Sequence, residues 1–389
     1  MSGPGGSLVV SGRAPGVRAL LGIVACRAYQ IRPGARAAPL DEPVEIPRGI
    51  VLAPSTNPGA KDRMVADAPE MELGKVLTDV VLAGSAHARA PVTSLDTALE
   101  LGAARKAVRV VGERRIEVRA GGQIAFGPPA RFTTMPLTWD LAYGGRDREA
   151  EARIFRELRV LSSGRRDLAL EGAAQLYYAR NGSGRGYRLD FDRARLDGLP
   201  APCLEDPTDP VTADRLLSER TTDWIDRPVA ACYEPIDVFT FPRSAFGLRP
   251  AHDDPARPIH ELSTGAILRE DLARPSTLNA PGPRLYNMAP SGLAVCRLRG
   301  DERARLWNLH RDHALLEVAL PDDEPELVLE VPGVGARTLA PRLGTVRLEP
   351  DADRILLTWS GILPVAMKYP DEMIATMRHA VRWKRKATA

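Results

Sequence analysis

The chain has 389 residues, 44% of them hydrophobic and 26% charged, which is enough for two or three domains with a substantial core and argues against a disordered chain. Its 53 basic residues stand against 50 acidic ones, a formal net charge of +3, and the one basic cluster is residues 382–386, so no nucleic-acid footprint is expected. The 34 prolines and 33 glycines are spread along the chain, a pattern that suits turns between short strands and fits a helical bundle poorly, since an interior proline costs a helix about 3 kcal/mol.

The first dozen residues, with Gly3, Gly5 and Gly6, read as a flexible tail, and residues 20–31 as a first strand. The apolar run 19–25 ahead of Cys26 has the look of a lipoprotein leader. It is only about seven residues long, between Arg18 and Arg27, and a buried strand explains it better. No run approaches the ~18 apolar residues of a membrane span. Residues 54–69 read as a loop. Val76, Val80, Val81 and Leu82 form an apolar run that ends at Gly84. Val108 and Val110 alternate with Arg109, a turn follows at Gly112-Glu113, and Ile116 and Val118 alternate again, which predicts a hairpin. Residues 1–135 are therefore expected to form an N-terminal β domain.

The middle region, 136–284, is less regular. Ile154, Phe155, Leu158 and Leu161 have helical spacing, and residues 177–258 read as long structured loops of the kind that often carry function. In 285–389, apolar alternation at 315–316, 327–331, 346–348 and 355–359, with turns at Pro332-Gly333, Gly344 and Asp351, predicts a meander of about five strands. After Pro370 a helix is predicted. Asp371 and Glu372 open it, Met373, Ile374, Met377, Ala380 and Val381 share a face, and the basic residues 382–386 close it, in keeping with the helix dipole. The expected fold is mainly β, with α+β character at the margins. It comprises two strand-rich sandwich- or barrel-like units, a loop-rich middle and a C-terminal helix.

Few residues suggest chemistry. The four cysteines, Cys26, Cys203, Cys232 and Cys296, are far apart and form no CxxC pair, so neither a zinc site nor a disulfide framework is indicated and a reducing compartment is expected. Residues 181–187 carry a GxGxG run. Its continuation is extended, not helical, and its spacing is not that of a dinucleotide loop. It reads as a rigid loop presenting Arg185 and Tyr187. Asn181, Gly184, Arg185, Gly186, Tyr187 and Arg243 are the candidate partner-binding residues. His310 and His313 could ligate a metal from a helix; no third ligand accompanies them, and they read as solvated surface histidines. The adjacent carboxylates Asp301 and Glu302 would point to opposite faces of a strand and read as a turn in which one caps backbone amides. There is no GxSxG elbow and no paired cysteine–histidine motif. No catalytic residue, metal site or cofactor is expected.

Several runs taken together resemble one family, the bacterial domain-of-unknown-function family 2169 (DUF2169). Lys75, Asp79 and Gly84 resemble its K-x-x-x-D-x-x-x-x-G opening, and Gly102, Lys106, Val110 and Gly112 its next strand and turn. Residues 136–145, PLTWDLAYGG, are similar to its most recognisable signature, with Trp139, Tyr143, Gly144 and Gly145 as structural positions. Residues 181–187 resemble its NPxGxG loop, and 202–205 its PNLE run. Phe241-Pro242-Arg243 resembles a W-x-R position, and Asn287 to Pro290 its FNxAP run. Gly300, Asp301 and Glu302, then Leu306 to Leu309, then Gly344-Thr345-Val346 and Trp359, follow in family order. Gly182, Cys203, Phe241 and Ser291-Gly292 depart from the pattern.

The resemblance implies a cytoplasmic adaptor or chaperone. Its partners would be a secreted effector and the spike components of type VI secretion, the valine–glycine-repeat (VgrG) and PAAR proteins, with no nucleic acid and no membrane. The departures imply a divergent partner. A hydrolytic enzyme with a non-standard site and a structural assembly protein are the alternatives.

Overall fold

The computed structural model describes residues 5–14, 17–47, 51–54, 63–67, 73, 75–147, 178, 180–189, 193–218, 230–236 and 287–385, with isolated positions between 149 and 156. The fold is mainly β, and none of its sheets closes into a barrel.

The largest sheet has seven strands. Its order is β1 (Gly6–Ala14), β2 (Val17–Gln30), β24 (Arg354–Val365), β23 (Arg342–Glu349), β6 (Thr78–Leu82) and β18 (Ala294–Val295), with β3 (Ala38–Pro39) also on β2. Only the β23–β6 pair is parallel. Hydrogen bonding thus joins the first strands of the chain directly to strands near residue 360. The glycines that suggest a flexible tail are misleading: β1 pairs with β2 from Gly6↔Cys26 to Ala14↔Val17, and its Leu8 and Val10 are buried.

The five-stranded sheet runs β16 (Leu204–Glu205), β9 (Ala104–Val111), β8 (Ser94–Leu101), β19 (Arg303–Trp307) and β20 (Leu315–Ala319). Strict alternation turns Leu99, Leu101, Val108, Val110, Leu306, Leu316 and Val318 inward. There they meet Val80, Leu82, Val346, Leu348, Ile355 and Leu357 of the seven-stranded sheet in one core. Each fully buried aliphatic side chain contributes about 1.5–3 kcal/mol, so this sandwich is the main source of stability.

A three-stranded sheet, β22 (Gly335–Leu339), β21 (Asp323–Val331) and β25 (His379–Arg385), lays Leu327, Leu329 and Val331 on Leu21, Ile23 and Ala25 of β2. The opposite face of β2 carries Leu20, Val24 and Cys26, which pack with Leu8, Val10, Ile46 and Leu73. Two-stranded ladders complete the described structure. These are β4 (Val51–Pro54) with β5 (Arg63–Asp67), β7 (Ser85–Val92) with β12 (Phe132–Pro136), and β10 (Ile116–Val118) with β11 (Ile124–Phe126). Two more are parallel: β13 (Tyr143–Gly144) with β14 (Arg185–Gly186), and β15 (Arg188–Leu189) with β17 (Leu217–Ser218).

Two expected pairings and one helix are corrected. The strand holding Val108 and Val110 does not form a hairpin with the one holding Ile116 and Val118: β9 returns on β8, and β10 on β11. The C-terminal strands are found where expected but do not form one meander, because β20, β21–β22 and β23–β24 belong to three sheets. The C-terminal helix α1 (Asp371–Thr376) stops after six residues, and the basic stretch lies on β25. Val381 and Trp383 alternate along β25 and pack against the core of β2 and β21, which outweighs the helical spacing. The expected helix around residues 154–161 and, of the loop region 177–258, residues 219–229 and 237–258, Arg243 among them, lie outside the described residues. Among the described residues no helix is long and apolar enough to cross a membrane.

Candidate functional site

The motif residues gather into polar nodes. The first is built on Asp79, fully buried near the start of β6. Its Oδ2 lies 3.0 Å from Lys75 Nζ and accepts the Met288 N–H at 3.1 Å; its Oδ1 accepts Asn287 Nδ2 at 2.9 Å and the Ala289 N–H at 3.2 Å. Lys75 donates to Thr345 Oγ1 at 2.9 Å. Asn287 also donates to the Leu77 carbonyl at 2.9 Å. Segments near residues 77, 288 and 345 are thereby locked together. A buried carboxylate is tolerated only when paired and hydrogen-bonded, and every one of these partners is part of the same chain. Pro290 closes the turn after this node: its carbonyl accepts the Leu293 N–H, and Leu293 in turn accepts the Val80 N–H.

The second node interlocks the two glycine-bearing motifs. β13 and β14 pair in parallel, Tyr143↔Arg185 and Gly144↔Gly186. Asn181 Nδ2 donates to the carbonyls of Trp139 (2.7 Å) and Tyr143 (3.1 Å). Arg185 Nε donates to the Asp140 carbonyl at 3.1 Å, and its Nη1 reaches both carboxylate oxygens of Glu113, at 3.1 and 3.0 Å. The glycines here are required by space: a Cβ on Gly144 would lie 2.1 Å from the Asn181 carbonyl oxygen, and one on Gly145 would lie 2.5 Å from that of Gly184. Tyr143, Tyr178 and Tyr187 form a buried aromatic cluster with centroid distances of 4.9 and 5.9 Å.

The expectation that residues 181–187 present Arg185 and Tyr187 to a partner is therefore corrected. Both side chains are buried, as are Asn181 and Gly186, and Gly184 is half-buried against the Ala142 carbonyl. The loop turns inward because its arginine finds a carboxylate and its tyrosine an aromatic pocket. Glu113 is the partner that sequence reading missed; it lies 72 residues away, with no motif spacing to reveal it. Beside the node, burial pushes the Cys203 thiol up to about 12, so it is an inert thiol. Trp139 donates its Nε1–H to the Pro235 carbonyl at 3.0 Å and its backbone N–H to Glu234 at 3.2 Å. Burial, with the Asp140 carboxylate adding to it, pushes the Glu234 carboxyl up to about 7.

Glu302 accepts the backbone N–H groups of Arg299 (2.6 Å) and Gly300 (2.9 Å), and Asp301 pairs with Arg299 at 2.9 Å. The carboxylates thus organise a turn. Gly300, at φ 90°, rests on the Trp359 ring. His310 is not a solvated surface residue: it is buried, its Nε2 lies 2.8 Å from Asp353 Oδ1, and its Nδ1 accepts the Asp312 N–H at 3.0 Å. Both ring nitrogens are occupied, and the backbone there is a bend, not a helix. Among the described residues no group of three or more His, Cys, Asp or Glu is placed to hold a metal. A shallow groove of about 380 Å³ lies between the tip of β21–β22 and α1, with Val331, Val334, Met373 and Met377 in its walls.

What the motif residues do chemically is thus to hold distant segments of the chain in register. No curated protein and no solved structure matches the chain. A family model does match, over residues 17–360, and nearly all the residues of these nodes fall inside it: the chain belongs to the family described as uncharacterized proteins conserved in bacteria, DUF2169.

Proposed function

We propose that this chain is a non-enzymatic adaptor or chaperone of the cytoplasm, which binds a secreted effector and helps load it onto the VgrG and PAAR components of a type VI secretion spike. The observation that carries the reading is the inward use of the motif's polar side chains. Lys75, Asp79, Asn181, Arg185 and Asn287 bind the protein's own backbone and one another. An enzyme needs titratable groups converging on a cleft where a reacting atom can sit. A binding protein needs a rigid scaffold whose surface does the work, and these nodes supply rigidity. The adaptor class itself is what the resemblance of the motif order implies.

The test is co-expression with a secreted effector whose gene lies beside that of this chain. The two should co-purify in about equal amounts, and the effector should lose solubility when this chain is omitted. An effector that is equally soluble alone and never associates with this chain would overturn the proposal.

A further inference from the structure

The outer face of the five-stranded sheet is patterned in two directions. Along one cross-strand row stand Ala107 of β9, Ala98 of β8, Trp307 of β19 and Leu315 of β20. This row is apolar and open: Leu315 is 44% exposed, Ala107 is exposed, and Ala98 and Trp307 are half-buried. Its two small residues lie on one half and its two large ones on the other. The next row holds Arg105, Glu100, Arg305 and Glu317 on the same four strands. Its charges alternate strand by strand, and each side chain is one-third to three-quarters exposed.

We infer that this face docks a second copy of the chain about a two-fold axis parallel to the strands, between β8 and β19. Such an axis reverses the order of the strands in the facing copy. β9 then lies over β20, and β8 over β19. In the apolar row Trp307 meets the other copy's alanine at position 98, and Leu315 meets the one at position 107, so large packs on small. In the charged row each arginine meets a carboxylate: Arg305 faces Glu100, and Arg105 faces Glu317. An isologous interface requires self-complementarity of this kind; within one chain the charges of this row already pair across strands, Arg105 and Arg305 with Glu100 and Arg305 with Glu317, and docking sets a further opposite charge over each.

Face-to-face sheets pack about 10 Å apart with strands within about 30° of alignment, which keeps these rows in register at the central strands. The four strands that overlap about this axis, of five or eight residues each, cover roughly 400 Å² per copy. The total lies below the range of stable specific interfaces, so the dimer should be a weak one, on the order of tens of micromolar. A tryptophan on a central strand, buried by the facing copy, supplies the kind of aromatic anchor such contacts use.

The experiment is sedimentation velocity of the full chain from about 1 to about 100 μM at low salt. The wild-type chain should move from its 42.2 kDa monomer mass towards twice that mass. Glu100→Arg and Arg305→Glu should each weaken self-association by about a hundredfold or more, because each sets like charges face to face. Mixed together, the two variants should dimerise again, since every cross-copy pair is then opposite in sign. Ala98→Trp should abolish the dimer, and Ala98→Trp with Trp307→Ala should restore it; this pair decides the matter if a charge variant fails to fold. A wild-type chain that stays monomeric at about 100 μM would overturn the inference. So would a Glu100→Arg variant that dimerises as well as wild type, or charge variants that remain monomeric when mixed. The assay contains no effector, so its outcome is independent of the adaptor proposal.

Discussion

Lys75→Met and Asp79→Ala should expose how much the fold depends on the node at β6. Lys75 and Asp79 are 7% and 0% exposed in their side chains and lie 3.0 Å apart. Removing the ammonium leaves Asp79 with its Met288, Ala289 and Asn287 donors, so part of its stabilisation survives and a loss of about 3 kcal/mol is expected. Asp79→Ala takes the carboxylate away from the buried ammonium and strands three N–H donors, and about 5 kcal/mol is expected. At about 2.1 cal/mol/K per residue, 5 kcal/mol lowers the Tm of a chain of this length by about 6 °C. The double variant should cost at least about 2 kcal/mol less than the sum of the two singles, because they share a partner. Urea unfolding followed by tryptophan fluorescence measures all three. Single-variant losses below about 1 kcal/mol, or strictly additive ones, would refute the view that this node clamps the sheet.

Three further outcomes follow from the second node. Gly144→Ala should lose about 3 kcal/mol or more in the same urea assay, because its Cβ would meet the Asn181 carbonyl oxygen at 2.1 Å. Arg185→Ala and Tyr187→Ala should lower thermal stability by several degrees before any effect on partner capture, and unchanged melting curves would contradict their burial. Glu234 gives a pH signature. Its folded carboxyl titrates at about 7, above an unfolded value of about 4.3. The folded state therefore binds the proton more tightly. The resulting stability is complete below about pH 4 and is lost as the pH rises to 7, a change of about 3 kcal/mol. Glu234→Gln keeps an acceptor for the Trp139 N–H and should be more stable than wild type at pH 8, with no such advantage at pH 4; equal melting shifts at both pH values would refute this.

Much of the secondary structure is legible from alternation alone. Val108 and Val110, Leu327 and Leu329, and Ile355 and Leu357 are buried strand residues because their neighbours are polar. Pairing is less legible. The strand β8, SLDTALEL, has a polar face of Asp96 and Glu100 and an alanine at 98, too weak a signal to announce itself, and without it β9 has no visible partner. The N-terminal glycines hide β1, whose own apolar content, Leu8 to Val10, is three residues long and gains stability only on the edge of β2. At the C-terminus Ile374, Met377 and Val381 fit a helical stripe as well as a strand, and only contact with β21 decides. The resemblance located the residues of the nodes, while sequence spacing gave no hint that Asp79 and Asn287, 208 residues apart, would touch. Inwardness was misjudged for Arg185 because a lone arginine in a glycine loop looks the same whether its carboxylate is a partner's or its own.

The partnership of β2 with β24 has a consequence for biosynthesis. From Ala19↔Val365 to Gln30↔Arg354 the two strands pair along twelve positions, yet more than 320 residues separate them. At about 5–20 residues per second, β2 waits roughly 20–70 s on the ribosome before its partner exists. During that interval an apolar fourteen-residue strand has only β1 and the two-residue β3 beside it, and the edge that β24 will take is open to any other strand nearby. Pairings this distant also fold slowly once the chain is free, because loop closure must be paid before contacts return anything. Nascent chains of this protein should therefore lean heavily on general folding helpers, and a premature stop before residue 354 should yield aggregate instead of a shortened native domain.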